Sequence, residues 1–369
     1  MSGGTRVGVH DLSDPTTVSL LRMVGLGLGT GATSPAGEVA ATLPEEVSRI
    51  GALQSQDWRG ALHTLALRTA ARSIGEATAA FDTDLVRTWP MRGTLHTVAR
   101  SDLPWLLALT SPRMFAQAAR RRAQLGIDDT LLDRARGLAR EALAERPRGR
   151  DELVGLWAAD GVIDGVPQRG YHLVMTLCHD GLMALGPVVD GAQLLVPLDL
   201  PLPLDRALPP DPATTFCLRY FTSHGPATMD DLVRWCGLTK SVLGPAARRL
   251  REDGVLATTT VAGRDLWHGA DLAQVSQEAL DACRTMVLAS GFEELVLGYR
   301  DRTCTVPPSD EARICPGNNG MFKHTVIENG RVIGTWTRPG GRDPVPDWFV
   351  RPSRALTRRF DAACARMPV

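Results

Sequence analysis

Two glutamines separated by a single residue are the side chains of this sequence whose spacing best suits a reaction with water. Gln54 and Gln56 follow a predicted helix, and Asp57 and Trp58 come directly after them. If the chain is extended there, residues two apart point to one side, so both carboxamides can bracket one water molecule or one sugar. On the pattern by itself, two glutamines in a loop are more often ordinary surface residues.

Other catalytic arrangements have no recognisable signature in the chain. No serine or cysteine lies in a nucleophile elbow, and neither an HExxH pair nor an Asp-rich metal motif occurs. The cysteines form an odd, scattered set without a CxxC pair, which argues against both disulfides and a zinc ribbon. We therefore expect free thiols, no metal and no cofactor. The seven cysteines are Cys178, Cys217, Cys236, Cys283, Cys304, Cys315 and Cys364.

Composition limits the class of protein without naming a partner. The 369 residues are 44% hydrophobic, enough for two to four domains with real cores. The 41 basic and 41 acidic residues cancel, so a nucleic-acid surface would have to be a local patch. The sequence contains no run of about 18 apolar residues, the length that a helix needs to span a bilayer. Its first residues lack the pattern of a signal peptide, so we expect a cytoplasmic protein.

The helix before the glutamines has a clear start. Thr42 and Glu45 form a predicted capping box, and Val47 and Ile50 recur at helical spacing. We predict two further helices over residues 60–71 and 82–88, and a strand in WPMRGTLHTVA, residues 89–99. Helices closed by a strand follow the order of a winged helix.

The same order recurs twice along the chain. Helices predicted at 150–160 and 168–180 precede a hairpin with an Asp190-Gly191 turn. After a Pro-rich linker at 197–212, Thr228 and Asp231 cap a helix ending at Cys236-Gly237, and a helix over 240–253 leads to a hairpin at Ala262-Gly263.

The predicted fold class is α+β, with tandem winged-helix (helix-turn-helix) units, three in number, and a C-terminal β-rich domain. That last domain rests on the strand-like runs ELVLGY, MFKHTVIE and VIGTWT. Between the first two units we predict a helix beginning at Ser111-Pro112 and another over 128–145. The predicted segments are a disordered tail at 1–16, winged helix 1 with the glutamine motif at 17–112, connecting helices at 113–147, winged helix 2 at 148–200, winged helix 3 at 201–275, and the β-rich domain with its tail at 276–369.

Four runs of sequence together resemble one family. They are VSRIGALQSQDWRGALHTLALRT, WPMRGTLHTVARSDL, RYFTSHGPATMDDLVRWCGL and GFEELVLGYRDR. In this order, over nearly the whole chain after the tail, they are similar to the bacterial winged-helix DNA glycosylases of the AlkZ and YcaQ group, and the match is closer to the AlkZ branch. Where relatives have an aspartate in GFDE, this chain has Glu293.

The resemblance implies a function for the glutamines. In that family a Gln-x-Gln or Gln-x-Asp motif is catalytic, and it maps onto Gln54 and Gln56, with Asp57 as an alternative base. The implied reaction is monofunctional release of N7-alkylated purines from double-stranded DNA, including unhooking of interstrand crosslinks, by a monomer that serves in DNA repair and in self-resistance to a DNA-alkylating natural product. The candidate DNA-contacting residues are Trp58, Arg59, Arg92, His96, Arg300 and Arg302.

Several alternatives stay open at this stage. His96 is as well explained as a satisfied core histidine, and Asp301 beside Arg300 and Arg302 suits a structural salt bridge. Winged-helix proteins most often bind specific DNA sequences, so regulation of transcription without enzymatic activity is a rival function. A resistance protein that sequesters the free drug is another rival.

Overall fold

The computed structural model describes residues 10–28, 42–69, 72–198 and 211–369. Most of the predicted tail, part of the glycine-rich loop after the first helix and nearly all of the predicted Pro-rich linker lie outside the described residues. The helices are α1 Pro15–Gly25, α2 Leu43–Ile50, α3 Trp58–Ala66, α4 Ile74–Ala79, α5 Leu103–Gln124, α6 Asp129–Glu145, α7 Arg150–Ala159, α8 Arg169–His179, α9 Pro212–Ser223, α10 Met229–Cys236, α11 Lys240–Glu252, α12 Gln277–Ala282, α13 Glu294–Leu297, α14 Glu311–Ile314 and α15 Arg354–Cys364.

The strands are shorter and fall into separate groups along the chain. They are β1 Leu53–Gln54, β2 Leu85–Met91, β3 Thr94–Ala99, β4 Arg148–Gly149, β5 Met183–Val189, β6 Ala192–Pro197, β7 Leu256–Val261, β8 Arg264–Gly269, β9 Val287–Ala289, β10 Thr325–Glu328, β11 Arg331–Thr337 and β12 Val345–Trp348. The chain divides into two compact units. One consists of Met1–Ala77 and Phe216–Val369, and the other is Thr78–Thr215.

The unit formed by the middle of the chain is built on an antiparallel sheet. Within it the strands lie in the order β3, β2, β5, β6, β4. The predicted hairpin at Asp190-Gly191 is confirmed, with both residues at positive φ, 51° and 77°. That pair of left-handed residues matches the twist of the flanking strands, which is why Asp-Gly favours two-residue hairpins.

The predicted helix over 82–88 is wrong, because most of that segment is β2. Leu85, Val86 and Thr88 are buried, and two of them carry the β-branched side chains that favour a strand. The chain turns at Arg92 and Gly93, both at positive φ, and pairs β2 with β3. The predicted single strand over residues 89–99 is therefore the end of one strand, a tight turn and all of the next.

The predicted helix start at Ser111-Pro112 is also wrong. α5 runs through both residues, so Pro112 lies inside a helix of 22 residues. A proline has no N–H to donate to the carbonyl four residues earlier, yet long helices with enough packing tolerate one. Leu103, Leu106 and Met114 of α5 are buried and supply that packing.

The core of this unit surrounds a tryptophan. Trp157 of α7 is fully buried, and its Nε1–H donates to the carbonyl oxygen of Ala135 at 3.0 Å. Leu153, Leu173 and Trp89 belong to the same cluster. α7 and α8 lie within a residue or two of the bounds predicted for them, and the predicted helix over 128–145 is confirmed as α6, with Asp128 as its N-cap.

In the other unit, α10 and α11 with the hairpin β7–β8 agree closely with the sequence. Thr228 and Asp231 form the predicted capping box, and Gly237 ends α10 in a left-handed conformation. The turn at Ala262 and Gly263 has positive φ at both residues. Helix-turn-helix with a wing is therefore present here, while the total of three winged-helix units stays a prediction.

A C-terminal sheet is present, in the strand order β12, β11, β10, β9, with all neighbours antiparallel. α15 packs on it through Leu356, Phe360 and Ala363, which recur at helical spacing and are buried with Trp336. The predicted strand in ELVLGY is wrong. Its first four residues form the single-turn helix α13, whose start is capped by the carboxylate of Glu293.

All seven cysteines are free thiols in the described part of the chain. No helix among the described residues is long and apolar enough to cross a membrane.

Candidate functional site

The segment carrying the two glutamines begins where α2 ends. Thr42 caps α2 by accepting from the backbone N–H of Glu45 at 3.4 Å, while Val47 and Ile50 are buried. Gly51 then takes φ of 97°, a conformation that L side chains rarely adopt, and its N–H donates to the carbonyl of Val47. The helix therefore stops at a fixed residue, three positions before the motif.

Gln54 and Gln56 differ in their exposure. Gln54 ends the two-residue strand β1 and is 7% exposed, whereas Gln56 is exposed. Between them, Ser55 is buried and its hydroxyl donates to the carbonyl of Leu53 at 2.9 Å. The chain bends at Gln56 and Asp57. The extended geometry expected from the sequence thus covers only the first part of the motif, and of the two glutamines Gln56 is the one exposed to solvent.

Asp57 has a structural role that the sequence did not predict. It is the N-cap of α3, and its Oδ2 accepts from the backbone N–H of Gly60 at 3.1 Å. A Cβ on Gly60 would lie 2.6 Å from that oxygen, so glycine leaves room for the cap. Trp58 and Arg59 begin α3, half-buried and exposed respectively. The structure therefore brings five of the predicted site residues together at one helix start.

A buried carboxylate holds the backbone of the motif. Glu294 is inaccessible to solvent, and its Oε1 accepts from the backbone N–H of Gln54 at 3.0 Å. Its Oε2 accepts from the indole N–H of Trp235 at 2.8 Å and lies 3.5 Å from Nε2 of His224. Burial lowers the pKa of His224, and the hydrogen bond to Glu294 opposes that shift.

The neighbouring carboxylate makes a buried salt bridge. Glu293 pairs with Arg68 through two hydrogen bonds of 2.6 and 3.2 Å, and neither side chain is exposed. The same guanidinium donates to the carbonyl oxygens of Leu26 and Thr64. A bidentate pair with its remaining donors satisfied is the form in which buried charges are tolerated. It ties the residues after α3 to the loop that begins α13.

The C-terminal sheet supports α3 from one side. The hydroxyls of Thr64 and Ser290 lie 2.6 Å apart, and Nε2 of His63 lies 2.6 Å from the carbonyl oxygen of Leu288. His324 stacks on Trp336 with ring centroids 4.7 Å apart. Burial lowers the pKa of His324, and the negative charge of Asp57 opposes that shift.

Arg92 and His96 belong to the hairpin β2–β3 of the other unit. His96 is fully buried, its Nδ1 lies 2.9 Å from the carbonyl of Thr94, and its Nε2 lies 3.2 Å from Nη2 of Arg92. Because a carbonyl only accepts, Nδ1 carries the proton and Nε2 accepts from the guanidinium. This geometry favours the core-histidine alternative for His96 and gives Arg92 an intramolecular partner.

Arg300 and Arg302 line a cavity of about 690 Å³ beside the hairpin β7–β8. The side chain of Arg300 is 69% exposed, with Nη1 3.8 Å from Oδ2 of Asp230. The side chain of Arg302 is 12% exposed and donates to the carbonyl of Val296 and to Glu311. Of these two candidate DNA contacts, Arg300 is the one whose guanidinium is accessible.

Other charges on this cavity are neutralised in pairs. Lys240 lies 2.6 Å from Asp230, and Arg264 lies 2.6 Å from Asp301. Burial would raise the pKa of Asp301, but hydrogen bonds from Thr303 and Arg264 outweigh it and bring the pKa to about 2. The salt bridge foreseen for Asp301 thus exists, with Arg264 as its partner.

Sequence reasoning missed Arg68 and Glu294, and it noted Glu293 only as a difference from relatives, without its salt bridge. The signal for them was two adjacent acidic residues in the otherwise apolar run GFEELVLGY. Glutamate is almost never fully buried unless it is paired, so such a run predicts partners elsewhere in the chain. Among the described residues, no group of three or more His, Cys, Asp or Glu side chains is arranged to hold a metal ion.

Comparison with known proteins agrees with this architecture. The chain is 27% identical over 307 residues, 79% of its own length and 80% of the relative's, to the "Interstrand DNA cross-link repair glycosylase" of Streptomyces sahachiroi. Its fold is similar to that of the Streptomyces sahachiroi DNA glycosylase AlkZ, with a TM-score of 0.74 and 21% identity over 96% of this chain and 98% of the other. The model of the family "DNA glycosylase AlkZ-like" matches residues 47–366, which include the glutamine motif, α3 and the C-terminal sheet. The chain belongs to the AlkZ-like DNA glycosylase family.

Proposed function

We propose that this protein hydrolyses the N-glycosidic bond of N7-alkylated purines in duplex DNA and unhooks interstrand crosslinks, with Gln54 and Gln56 as its catalytic residues. The observation that carries the proposal is the exposure of Gln56 to solvent, two positions after a glutamine whose backbone N–H donates to a buried carboxylate. The name of the relative, an interstrand crosslink repair glycosylase, supports the choice of lesion.

Two neutral amides suffice because the substrate supplies its own leaving group. Alkylation at N7 gives the purine a positive charge. When the bond from C1′ to N9 breaks, the electron pair goes to the purine, which leaves neutral and needs no proton from the enzyme. The remaining tasks are to stabilise an oxocarbenium-like sugar and to deliver water to C1′, as in other glycoside hydrolyses.

We assign the water to Gln56 and the placing of the sugar or the water to Gln54. An amide oxygen can accept a hydrogen bond from water but is too weak a base to take its proton early. The proton is therefore lost to solvent after the C–N bond has broken. Asp57 is the only carboxylate adjacent to the motif, and its engagement as the N-cap of α3 argues against its use as the base.

In this proposal the lesion is met within the duplex, since a crosslinked base is joined to the opposite strand and resists extrusion into a deep pocket. Arg300 is the proposed backbone contact with the most accessible guanidinium. The proposed biological role is removal of adducts left by a DNA-alkylating natural product.

The test is release of base from defined duplexes under single-turnover conditions. Wild-type protein should release 7-methylguanine and leave an alkali-labile abasic site. Gln56→Ala and Gln54→Ala should each lower the rate at least about 100-fold, the cost of losing a well-placed reacting group. Gln274→Ala, at an exposed glutamine in the same unit, is the matched control and should match the wild-type rate.

Binding separates the rival functions from this one. Affinity for unmodified duplex should stay within about twofold of wild type in both motif variants, because they remove an interaction with the reacting sugar. Full base release by both variants would refute the assignment of the motif. Sequence-selective binding of undamaged DNA with no base release by the wild type would favour a transcription regulator instead, and binding of the free drug without base release would favour a sequestering protein.

A further inference from the structure

We propose that Glu294 is a positioning residue for the reaction. It holds Gln54 in position through a hydrogen bond from the backbone of Gln54. This inference rests on the proposed function of the motif. Glu294 touches neither DNA nor water in our assignment. It acts through the backbone N–H of Gln54, which donates to Oε1 at 3.0 Å.

The hydrogen bonds need an acceptor at both carboxyl oxygens of Glu294. The backbone N–H of Gln54 donates to one oxygen, and the indole N–H of Trp235 donates to the other. Neither donor can accept a hydrogen bond. Both oxygens must therefore be acceptors, a condition that a carboxylate meets and a carboxamide does not. Since Glu294 is fully buried, bulk water is not at hand to replace either contact.

Glu294 itself is held on a rigid base. Its own backbone N–H donates to the side chain of Glu293, which is locked to Arg68. Gly298 follows α13 as its C-cap, and its carbonyl accepts from the hydroxyl of Tyr220 at 2.7 Å. The next residue, Tyr299, donates its hydroxyl to the carbonyl of His224 at 2.9 Å. The position of the Glu294 carboxylate, and through it that of the Gln54 backbone, is therefore fixed by these contacts.

The anchor acts at a place where regular structure is short. β1 contains two residues, and the chain bends two positions after Gln54. The side chain of Gln54 is buried, so a shift of its backbone also moves its carboxamide. A displacement of about 1 Å in a positioning group is enough to cost about 100-fold in rate. The hydrogen bond to Glu294 opposes that displacement.

Glu294→Gln tests the proposal with the least change in shape. Its carboxamide offers one acceptor oxygen and places an N–H₂ group against a second donor. We expect the single-turnover rate of 7-methylguanine release to fall about 10- to 100-fold. Affinity for unmodified duplex should stay within about twofold of wild type.

Two readouts distinguish positioning from a general loss of structure. Wild-type protein should bind a duplex carrying a cationic pyrrolidine abasic nucleotide more tightly than an unmodified duplex, because that probe imitates the charged sugar. Glu294→Gln should lose most of this preference. The indole N–H resonance of Trp235, assigned with Trp235→Phe, should move in the variant, which reports the change at the carboxylate directly.

Tyr220→Phe is the matched control. It removes the hydrogen bond from the Tyr220 hydroxyl to the carbonyl of Gly298, at the end of the same short helix, and leaves the hydrogen bonds of Glu294 with Gln54 and Trp235 in place. Its single-turnover rate should match wild type at temperatures where it is folded, even if its melting temperature falls as far as that of Glu294→Gln.

The outcomes are distinct. Should Glu294→Gln fail to fold, Glu294→Asp replaces it; the shortened side chain reaches one donor only, and we expect a loss of at least about 10-fold. A rate within about threefold of wild type in whichever variant folds would overturn the inference, as would an equal loss in Tyr220→Phe. If the wild type itself releases no base, the proposed function fails, whereas the Trp235 resonance still tests the contact.

Discussion

Asp57 is a carboxylate beside the proposed catalytic motif, and it has a structural role. Its oxygen caps α3, a contact of the kind that Asp, Asn, Ser and Thr make at helix starts. An exposed N-cap aspartate also interacts favourably with the positive end of the helix dipole. Asp57, which looks most like a general base in the sequence, therefore serves as a helix cap, whereas the neutral Gln56 before it is exposed to solvent.

Asp57→Asn separates the two roles, because asparagine caps a helix about as well as aspartate but cannot serve as a base. We expect single-turnover base release within about tenfold of wild type and a nearly unchanged melting temperature. Asp57→Ala should lose about 1 kcal/mol of folding free energy, measured by urea denaturation. If Asp57→Asn is folded yet loses activity as completely as Gln56→Ala, Asp57 is the base and our assignment is wrong.

The pair Gln54 and Gln56 was proposed as catalytic from the resemblance of the surrounding run to the AlkZ and YcaQ group, since two glutamines at this spacing do not identify a site by themselves. Its anchor could not be found in the same way. Glu294 lies 240 positions from Gln54, and the contact uses a backbone N–H, which every residue but proline possesses. No side-chain pattern records such a contact. The buried acidic pair signals that partners exist, and only the fold identifies them.

At the scale of elements, hairpins were easier to predict than helix boundaries. Asp190-Gly191 and Ala262-Gly263 interrupt apolar runs and adopt positive φ, as their sequence indicates. Arg92-Gly93 forms an equivalent turn, but an arginine gives little sign of a left-handed conformation, so this turn was missed. α13 was mistaken for a strand because a single helical turn is too short to show a period.

Pro112 illustrates the opposite error, in which a strong local signal is overridden by packing. Proline in a helix interior costs about 3 kcal/mol relative to alanine, because an N–H is lost and the ring crowds the preceding turn. Pro112 is exposed, so its ring contributes little to the core. α5 continues through it because buried residues on both sides, Leu106 before it and Met114 after it, hold the helix against its neighbours.

Pro112→Ala should therefore stabilise the protein by about 1 to 3 kcal/mol, since alanine restores the donor to the carbonyl of Ala108. The measurement is the shift in urea or thermal unfolding, with base release expected to be unchanged. Pro104→Ala is the control. That proline is in the first turn of α5, where no N–H bond within the helix is lost, and its replacement should bring no gain. A lower melting temperature for Pro112→Ala would mean that the bend at Pro112 is needed for packing.

At the scale of the whole molecule, the 41 basic and 41 acidic residues cancel, and the groups that make stability depend on pH are buried histidines. Most of the ion pairs on the surface are exposed and contribute little to stability. Burial lowers the pKa of five histidines, which are His63, His172, His179, His224 and His324. These rings favour the neutral form in the folded chain, so they make the folded state sensitive to acid.

The sign of the effect follows from linkage. A histidine whose folded pKa lies below 6.5 binds more proton when unfolded, so its contribution to stability is complete above pH 6.5 and is lost as the pH falls toward the folded pKa. His179 has the clearest value, since burial lowers its pKa to about 4. For this ring the loss between pH 6.5 and 4 amounts to about 3 kcal/mol.

We therefore expect the melting temperature of the wild type to fall steeply between pH 7 and 5, before the carboxylates that hold the surface pairs are protonated. His179→Gln should flatten that slope by up to about 1.4 kcal/mol per pH unit, the value for one proton. Thr176→Val, on the same helix α8, removes a hydrogen bond to the carbonyl of His172 without removing a titrating group, and should lower stability equally at both pH values. If His179→Gln keeps the full wild-type slope, the ring is charged in the folded state, and burial does not control its titration.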